Sequence, residues 1–204
     1  MRRIVVGIDP GADGAIAAID AERRVVLGVA LLRRWAPDRT DEGDVGAMTA
    51  ALRWGAADSI GQSPMREALA WAGALLVPGA VYRPVIYTLA CEAPQLRPGQ
   101  SGGAVQAWTA AVVAETTRAV LSTRGEVGTV IVEAQTWTRE MGLQVRGQDR
   151  ADRKRARVAR VLELVPTAEP MLRPRPCRVP HDGAADAILI AMWAAGLRPA
   201  GGAT

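Results

Sequence analysis

The chain of 204 residues has no phenylalanine, one histidine, one lysine, two tyrosines and two cysteines. Cys91 and Cys177 could pair, but in a chain of this size we expect free thiols in a reducing cytoplasm. No apolar run reaches the ~18 residues that a membrane span requires, because Arg, Pro or Gly interrupts each one. Asp9 interrupts the apolar region that a signal peptide would need, so we expect neither export nor a membrane partner.

Charge is unevenly distributed along the chain. The composition is typical of a globular protein, with 49% hydrophobic and 23% charged residues. The length fits one domain, which we assign to residues 1–198, followed by a short tail at 199–204. The segment 139–178 contains eleven basic and five acidic residues, a local charge of +6, whereas the whole chain carries +4. A basic block of this kind indicates a polyanionic partner.

Hydrophobic periodicity predicts a mixed order of strands and helices. Strands are predicted over 3–8, 15–19, 24–32, 81–91 and 127–132, helices over 45–57, 64–76, 104–121, 136–142, 152–165 and 182–195, and a proline-rich connector over 166–180. This order predicts an α/β fold with a mixed central sheet covered by helices.

Four carboxylates occupy the ends of these predicted elements. Asp9 ends the first strand and Glu92 ends the fourth, so the two side chains project from the same edge if these strands are parallel neighbours. Asp182 and Asp186 are four residues apart at the start of the last helix and share one face. Such a set of oxygen ligands favours Mg²⁺ or Mn²⁺, two of which could activate a water against a phosphodiester.

Each acid also has a simpler interpretation when it is taken alone. Asp182 could be only a helix N-cap, and Asp186 could be a first-turn acid favoured by the helix dipole. Asp9, followed by Pro and Gly, could belong to a turn, and Glu92 could be a solvated strand end. The prediction of a metal site therefore depends on the four acids as a set.

The chain resembles the RuvC-type Holliday junction resolvases of the ribonuclease H-like superfamily, and in particular their phage-like members. The matching stretches are GIDPGADGAIAAI, LACEAPQLRPGQS, VIVEAQTWTREMGL and HDGAADAILIA, in the family's order along nearly the whole chain. The resemblance implies a homodimer that acts in DNA recombination and repair and makes paired, symmetric nicks in four-way DNA junctions. It also implies that Asp9, Glu92, Asp182 and Asp186 bind two Mg²⁺ ions, with no small-molecule cofactor, in a prokaryotic cell or a phage-infected host.

The chain departs from the family's pattern in two places. The familiar bacterial form spaces its last two acids three residues apart, whereas Asp182 and Asp186 are four apart, as in the DGxADA arrangement of phage-like relatives. His181, beside Asp182, either joins the metal site or only begins the helix. The segment 35–80 widens the gap between the first two acids, and we interpret it as a helical insertion.

The basic block contains the candidate DNA contacts. On the predicted helix from 152, the residues Arg153, Arg157 and Arg160 share one face. Lys154, the single lysine of the chain, could stabilise charge on the scissile phosphate. The competing interpretation is that these basic residues only form a solvated face of the helix. The opposite, buried side is predicted to consist of Val158, Val161, Leu162 and Val165.

By the resemblance, the loop and helix that follow Glu92 approach the junction. Gln100 and Ser101 are therefore candidate DNA contacts, and the helix 104–121 is a candidate dimer surface, with core packing as the competing explanation. Trp137 is expected to pack against the sheet.

Three other functions remain possible at this point. A nuclease of the same fold could act on flaps or other branched DNA, because the acids specify the chemistry and the loops specify the substrate. A ribonuclease H-like protein without catalysis could only bind DNA. An actin-like phosphotransferase would also begin with a strand of this kind, but it needs a second nucleotide-binding half.

Overall fold

A computed structural model describes residues 2–11, 14–31, 85–93, 125–144, 147, 149–173 and 178–199, together with part of the stretch 111–122, which is helical. The strands are β1 (Arg2–Asp9), β2 (Ala15–Asp20), β3 (Val25–Leu31), β4 (Val85–Glu92) and β5 (Glu126–Val132). The helices are α1 (Ala134–Glu140), α2 (Arg150–Leu164) and α3 (Asp182–Ala194), with a 3₁₀ helix, η1, at Pro166–Leu172.

The described strands form one mixed sheet in the order β3-β2-β1-β4-β5. The first three strands are antiparallel to one another, whereas β4 is parallel to both β1 and β5. The predicted α/β fold with a mixed central sheet flanked by helices is confirmed, and it is compatible with a ribonuclease H-like fold. Parallel pairing of β1 and β4 brings the carboxyl ends of these strands to one edge of the sheet.

Alternate side chains of β1 enter two separate cores, one on each face of the sheet. Val5 packs with α3, η1 and the apolar side of α2, whereas Ile4, Val6 and Ile8 pack on the other face with residues of the 111–122 helix. Because both faces are covered, β1 has a continuous apolar sequence rather than a polar alternation.

Helix α3 lies directly against the backbone of β1, and Gly7 makes this approach possible. A Cβ atom at Gly7 would lie 2.1 Å from the carbonyl oxygen of Ala187 and 2.6 Å from the amide nitrogen of Ala191. The helix is buried from Gly183 to Met192. Neither α3 nor any other described helix combines the length and the apolarity needed to cross a bilayer.

Several predicted boundaries are wrong for identifiable reasons. Arg24 was expected in the third strand but lies in the preceding turn with a φ of 54°. The helix predicted at 136–142 is α1 at 134–140, because Gly142 leaves the helical region with a φ of 68°. The last helix ends at Ala194, one residue early, since Ala195 is its C-cap.

Helix α2 and its flanks also differ from the prediction. The helix begins at Arg150 rather than 152, because the side chain of Asp149 accepts a hydrogen bond from the Asp152 amide and caps it. The proline-rich connector is not without structure, since Pro166, which needs no amide hydrogen at a helix start, opens η1. The predicted helices at 45–57 and 64–76, nearly all of the 35–80 insertion and most of the 199–204 tail lie outside the described residues.

Candidate active site

Asp9 ends β1, and the turn that follows holds its carboxylate. The amide of Gly11 donates a hydrogen bond of 2.9 Å to Asp9 Oδ1. A Cβ atom at Gly14 would lie 2.1 Å from the Asp9 carbonyl oxygen, so only glycine permits this close turn. The Asp-Pro-Gly sequence is therefore a turn, as the simpler interpretation has it, and that turn also fixes the direction of the acid.

Glu92 lies beside Asp9 because β1 and β4 are in parallel register, with Ile8 opposite Cys91. Burial, followed by the nearby charge of Asp9, raises the pKa of Glu92 to about 7. Burial likewise raises the pKa of Cys91 to about 12, and this thiol is free, as predicted. Cys177 lies outside the described residues.

The last helix brings the other two acids to the same place. His181 is the N-cap of α3, and its Nδ1 accepts a hydrogen bond of 3.3 Å from the Ala184 amide, so the interpretation of Asp182 as the N-cap is wrong. Asp182 is the first residue of the helix. Asp186, one turn further on, is only 7% exposed, and its Oδ1 has no hydrogen-bond partner within the described part of the chain.

Mutual electrostatic effects show that the four acids form one cluster. Burial raises the pKa of Asp186 well above its usual range, and the charges of Asp9, Glu92 and Asp182 raise it further. Burial also raises the pKa of Asp9, and Asp182 adds to that effect. Carboxylates that raise one another's pKa in this way favour the binding of a cation in their midst.

Two basic residues of α2 face this acid cluster. Lys154 Nζ lies 2.5 Å from Asp182 Oδ2, and Arg157 Nη1 donates a hydrogen bond of 2.6 Å to Asp186 Oδ2. For Asp182, burial acts to raise the pKa, but the hydrogen bond and charge of Lys154 outweigh it and hold the pKa below its usual value. The sequence indicated both residues as candidate DNA contacts and did not reveal their contacts with the acids.

The other candidate DNA contacts are arranged differently. Arg153 is exposed on α2, whereas Arg160 donates a hydrogen bond of 2.7 Å to Glu163. The predicted buried side of the helix is confirmed for Val161 and Val165, which are buried, while Val158 and Leu162 are partly buried against the same core. Gln100 and Ser101 lie outside the described residues.

Trp137 is a further residue of the site that the sequence did not reveal. It is buried in the core as predicted, but its indole Nε1 also donates a hydrogen bond of 2.7 Å to Glu92 Oε2. The guanidinium carbon of Arg157 lies over the same ring, 5.8 Å from its centroid. The only hint in the sequence is that a buried tryptophan needs an acceptor for its N–H group.

Carboxylate oxygens are suitable ligands for a divalent cation, and Asp186 Oδ1 has no hydrogen-bond partner among the described residues. The positions of the side chains are not those of a metal site, because no three of the described His, Cys, Asp and Glu side chains stand closely enough together to hold one ion. In this arrangement Lys154, Arg157 and Trp137 each contact one of the carboxylates. Ion binding therefore requires these carboxylates to turn toward one another.

Comparison with known proteins does not identify a family. No protein-family model matches the chain, and no curated protein matches it significantly. The functional interpretation accordingly depends on the residues of the site themselves.

Proposed function

We propose that this chain is an Mg²⁺-dependent endonuclease that resolves four-way DNA junctions as a homodimer, in the cytoplasm of a prokaryotic cell or a phage-infected host. The observation that carries the proposal is the clustering of Asp9, Glu92, Asp182 and Asp186 at the carboxyl ends of two parallel strands. Three different elements supply these acids. Placing these acids together is costly for the fold, because burial and the neighbouring carboxylates raise the pKa of Asp9, Glu92 and Asp186.

The four acids would hold the metal, two ions per site in this proposal, with Mn²⁺ able to replace Mg²⁺. When bound, these ions supply a lowered pKa for the attacking water and neutralise the charge that develops on the phosphate. Burial raises the pKa of Asp9 and of Asp186 above the usual value and raises that of Glu92 to about 7, so losing protons from this cluster is harder than usual in the absence of metal. Cation binding therefore displaces protons from this cluster, and it is favoured at higher pH.

The basic residues of α2 supply the contacts to DNA in this proposal. Lys154 and Arg157 lie beside two of the acids, so a phosphate group bound at the cluster would also be near these two cations. With metal and DNA bound, Lys154 and Arg157 would exchange their carboxylate partners for phosphate oxygens. The exposed Arg153 extends this positive surface along the helix and adds affinity that does not depend on sequence.

A second candidate function is DNA binding without catalysis. It is favoured by the ion pairs of Lys154 with Asp182 and of Arg157 with Asp186, which neutralise two of the four acids without any metal. In that case the ion pairs from α2 would keep metal from binding the acids. Asp9 is required for activity only if the chain is an endonuclease.

The deciding experiment compares wild-type protein, Asp9→Asn and Asp20→Asn on a labelled four-way junction and on a linear duplex of the same sequence, with and without Mg²⁺. Asp20 is the control, because it is also an aspartate at a strand end but pairs with Ile4, toward the opposite end of β1. Paired nicks on the junction alone that require Mg²⁺, disappear with Asp9→Asn and persist with Asp20→Asn are the expected result.

Two other outcomes would change the conclusion. Metal-dependent cutting of both the junction and the duplex would mean that the chain is a nuclease whose substrate is flaps or other DNA rather than four-way junctions. Junction binding by all three proteins without any cutting would replace the endonuclease by the non-catalytic DNA-binding protein.

A further inference from the structure

Two ion pairs compete with a divalent cation for the carboxylates of the acid cluster. Lys154 Nζ lies 2.5 Å from Asp182 Oδ2, and Arg157 Nη1 donates the 2.6 Å hydrogen bond to Asp186 Oδ2. Both acids belong to α3 and both cations belong to α2. A carboxylate oxygen that accepts from an ammonium or guanidinium group cannot bind a metal ion in the same direction. Helix α2 thus provides two of the four acids with cations of the chain's own.

The two cations remain within reach of a ligand from solution. The side chain of Lys154 is 40% exposed and that of Arg157 is 28% exposed. Water and salt screen ion pairs at such positions, and the pair of Lys154 with Asp182 is weakened most. An anion from solution can therefore take over the cations at small cost, provided that another group compensates the acids that they leave.

Charge determines which ligands can open these ion pairs. The four carboxylates outnumber the two cations, so the ionised group is negative and repels a phosphate that arrives alone. A divalent ion that arrives alone meets Lys154 and Arg157 at two of its four acids. When both ligands arrive, the cations pair with phosphate oxygens and the acids are left to the metal ion, so every charged group has a partner. Each ligand thus removes the obstacle to the other.

We propose that Lys154 and Arg157 form autoinhibitory ion pairs with the acid cluster, which weaken the binding of divalent metal until a DNA phosphate takes over the two cations. The inference rests on the proposed function, because it takes DNA as the source of the phosphate and the acids as the metal ligands. It gives a physical reason for side-chain positions in which no three of the described His, Cys, Asp and Glu residues can hold one ion. Metal and DNA should then raise each other's affinity by the same factor.

The first test measures Mn²⁺ affinity by calorimetry, without DNA and at pH 8, for the wild type and three variants of the full chain. Lys154→Gln removes the cation of the more exposed ion pair. Lys154→Arg keeps the charge at that position, and Arg153→Gln removes the same charge from the exposed neighbouring position on α2. Arg157 is left in place, because it also lies over the buried ring of Trp137 and its loss would disturb the core.

Lys154→Gln should bind Mn²⁺ about two- to fivefold more tightly than the wild type, because Asp182 no longer has to give up a partner. Lys154→Arg and Arg153→Gln should stay close to the wild type. An ion pair with a merely structural role would leave the Mn²⁺ affinity of Lys154→Gln unchanged or lower it. Either of these results, or an equal gain in Arg153→Gln, would overturn the inference.

The second test measures affinity for the four-way junction in EDTA and in Mn²⁺ at equal ionic strength, on DNA with phosphorothioate linkages that slow cutting. Mn²⁺ should tighten junction binding by the wild type about 10-fold. Lys154→Gln should gain less from Mn²⁺, since one of its two ion pairs is already open, whereas Arg153→Gln should lose affinity equally in both conditions. Equal gains from Mn²⁺ in the wild type and in Lys154→Gln would overturn the release by phosphate.

These measurements also separate the inference from the proposed function. Tighter Mn²⁺ binding by Lys154→Gln, in a chain that cuts no DNA, would end the endonuclease proposal and leave the autoinhibition standing. Junction cleavage by the wild type, with no gain in Mn²⁺ affinity in Lys154→Gln, would do the reverse. Failure of all four proteins to bind Mn²⁺, with or without the junction, would overturn both.

Discussion

Replacing Glu92 by Gln is expected to stabilise the metal-free protein at pH 8. Burial, with the charge of Asp9, raises the pKa of Glu92 from 4.5 to about 7. The stability that this raised pKa contributes is fully present below pH 4.5 and is lost as the pH rises through about 7. Each pKa unit corresponds to about 1.4 kcal/mol, so the charged carboxylate lowers the free energy of unfolding by about 3 kcal/mol at pH 8.

The variant Glu92→Gln escapes this loss because its side chain stays neutral and still offers an oxygen to Trp137. At pH 4.5 and below it should match the wild type in stability. At pH 8 it should unfold at a higher temperature, by about 6–12 °C for a chain of this length. Thermal and urea unfolding in EDTA between pH 4.5 and 8 measure the difference.

Glu140→Gln is the matched control with the opposite sign. The hydrogen bond from Trp193, followed by those from Arg198, lowers the pKa of Glu140. Its stabilising contribution is therefore present above the usual pKa and is lost as the pH falls, so Glu140→Gln should destabilise the protein at pH 8.

A wild type that is more stable than Glu92→Gln at pH 8 in EDTA would refute the reasoning. So would a difference between them that does not change with pH, because the cost would then not arise from the charge of Glu92. Added Mg²⁺ should make the wild type more stable than Glu92→Gln, because the cation binds the Glu92 carboxylate more strongly than it binds the Gln amide.

Three further changes test the fold and the DNA-binding surface. Gly7→Ala should lower the free energy of unfolding by about 3 kcal/mol or more in urea, because its Cβ would meet the α3 backbone at 2.1 Å. Gly128→Ala, whose nearest atom lies 4.0 Å away, should cost far less, and equal losses would contradict the close contact. Asp20→Asn should flatten the acid unfolding curve: burial acts to raise the pKa of Asp20, but hydrogen bonds from the Arg23 amide and the Arg2 side chain lower it overall, so its stabilising contribution disappears as the pH falls. Arg153→Gln should reduce the salt slope of junction binding by about one, and an unchanged slope would exclude a phosphate contact.

The sheet and the position of the acids were predictable because they follow from local patterns. A continuous apolar run indicated a strand covered on both faces, and β1 is such a strand. Acids that immediately follow strands are brought together once the strands are parallel, and the register of Ile8 with Cys91 supplies that condition. Spacing by four residues was enough to place Asp182 and Asp186 on one face of α3.

The contacts around the acids could not be predicted, because they depend on how the elements pack together. Periodicity indicates which face of a helix is buried, but it does not identify a partner 45 residues away, as Glu92 is from Trp137. The spacing of Arg153, Arg157 and Arg160 placed them on one face of the helix, and only the packing of α2 on α3 brings Arg157 and Lys154 to the acids. The start of α2 was misplaced because Asp149 and Asp152 are both suitable N-cap residues.

The absence of a side chain at Gly7 has a consequence for how the site responds to change. Where α3 crosses β1, the helix backbone rests on the strand backbone, so no side chain separates the two elements at that point. The distance between the elements that carry Asp9 and Asp186 is therefore set by main-chain atoms. Substitutions that enlarge or shrink the surrounding core can alter the stability of the protein while leaving that distance nearly constant. Core substitutions can therefore accumulate in this chain with little change in the geometry of the acid cluster, provided that position 7 remains glycine.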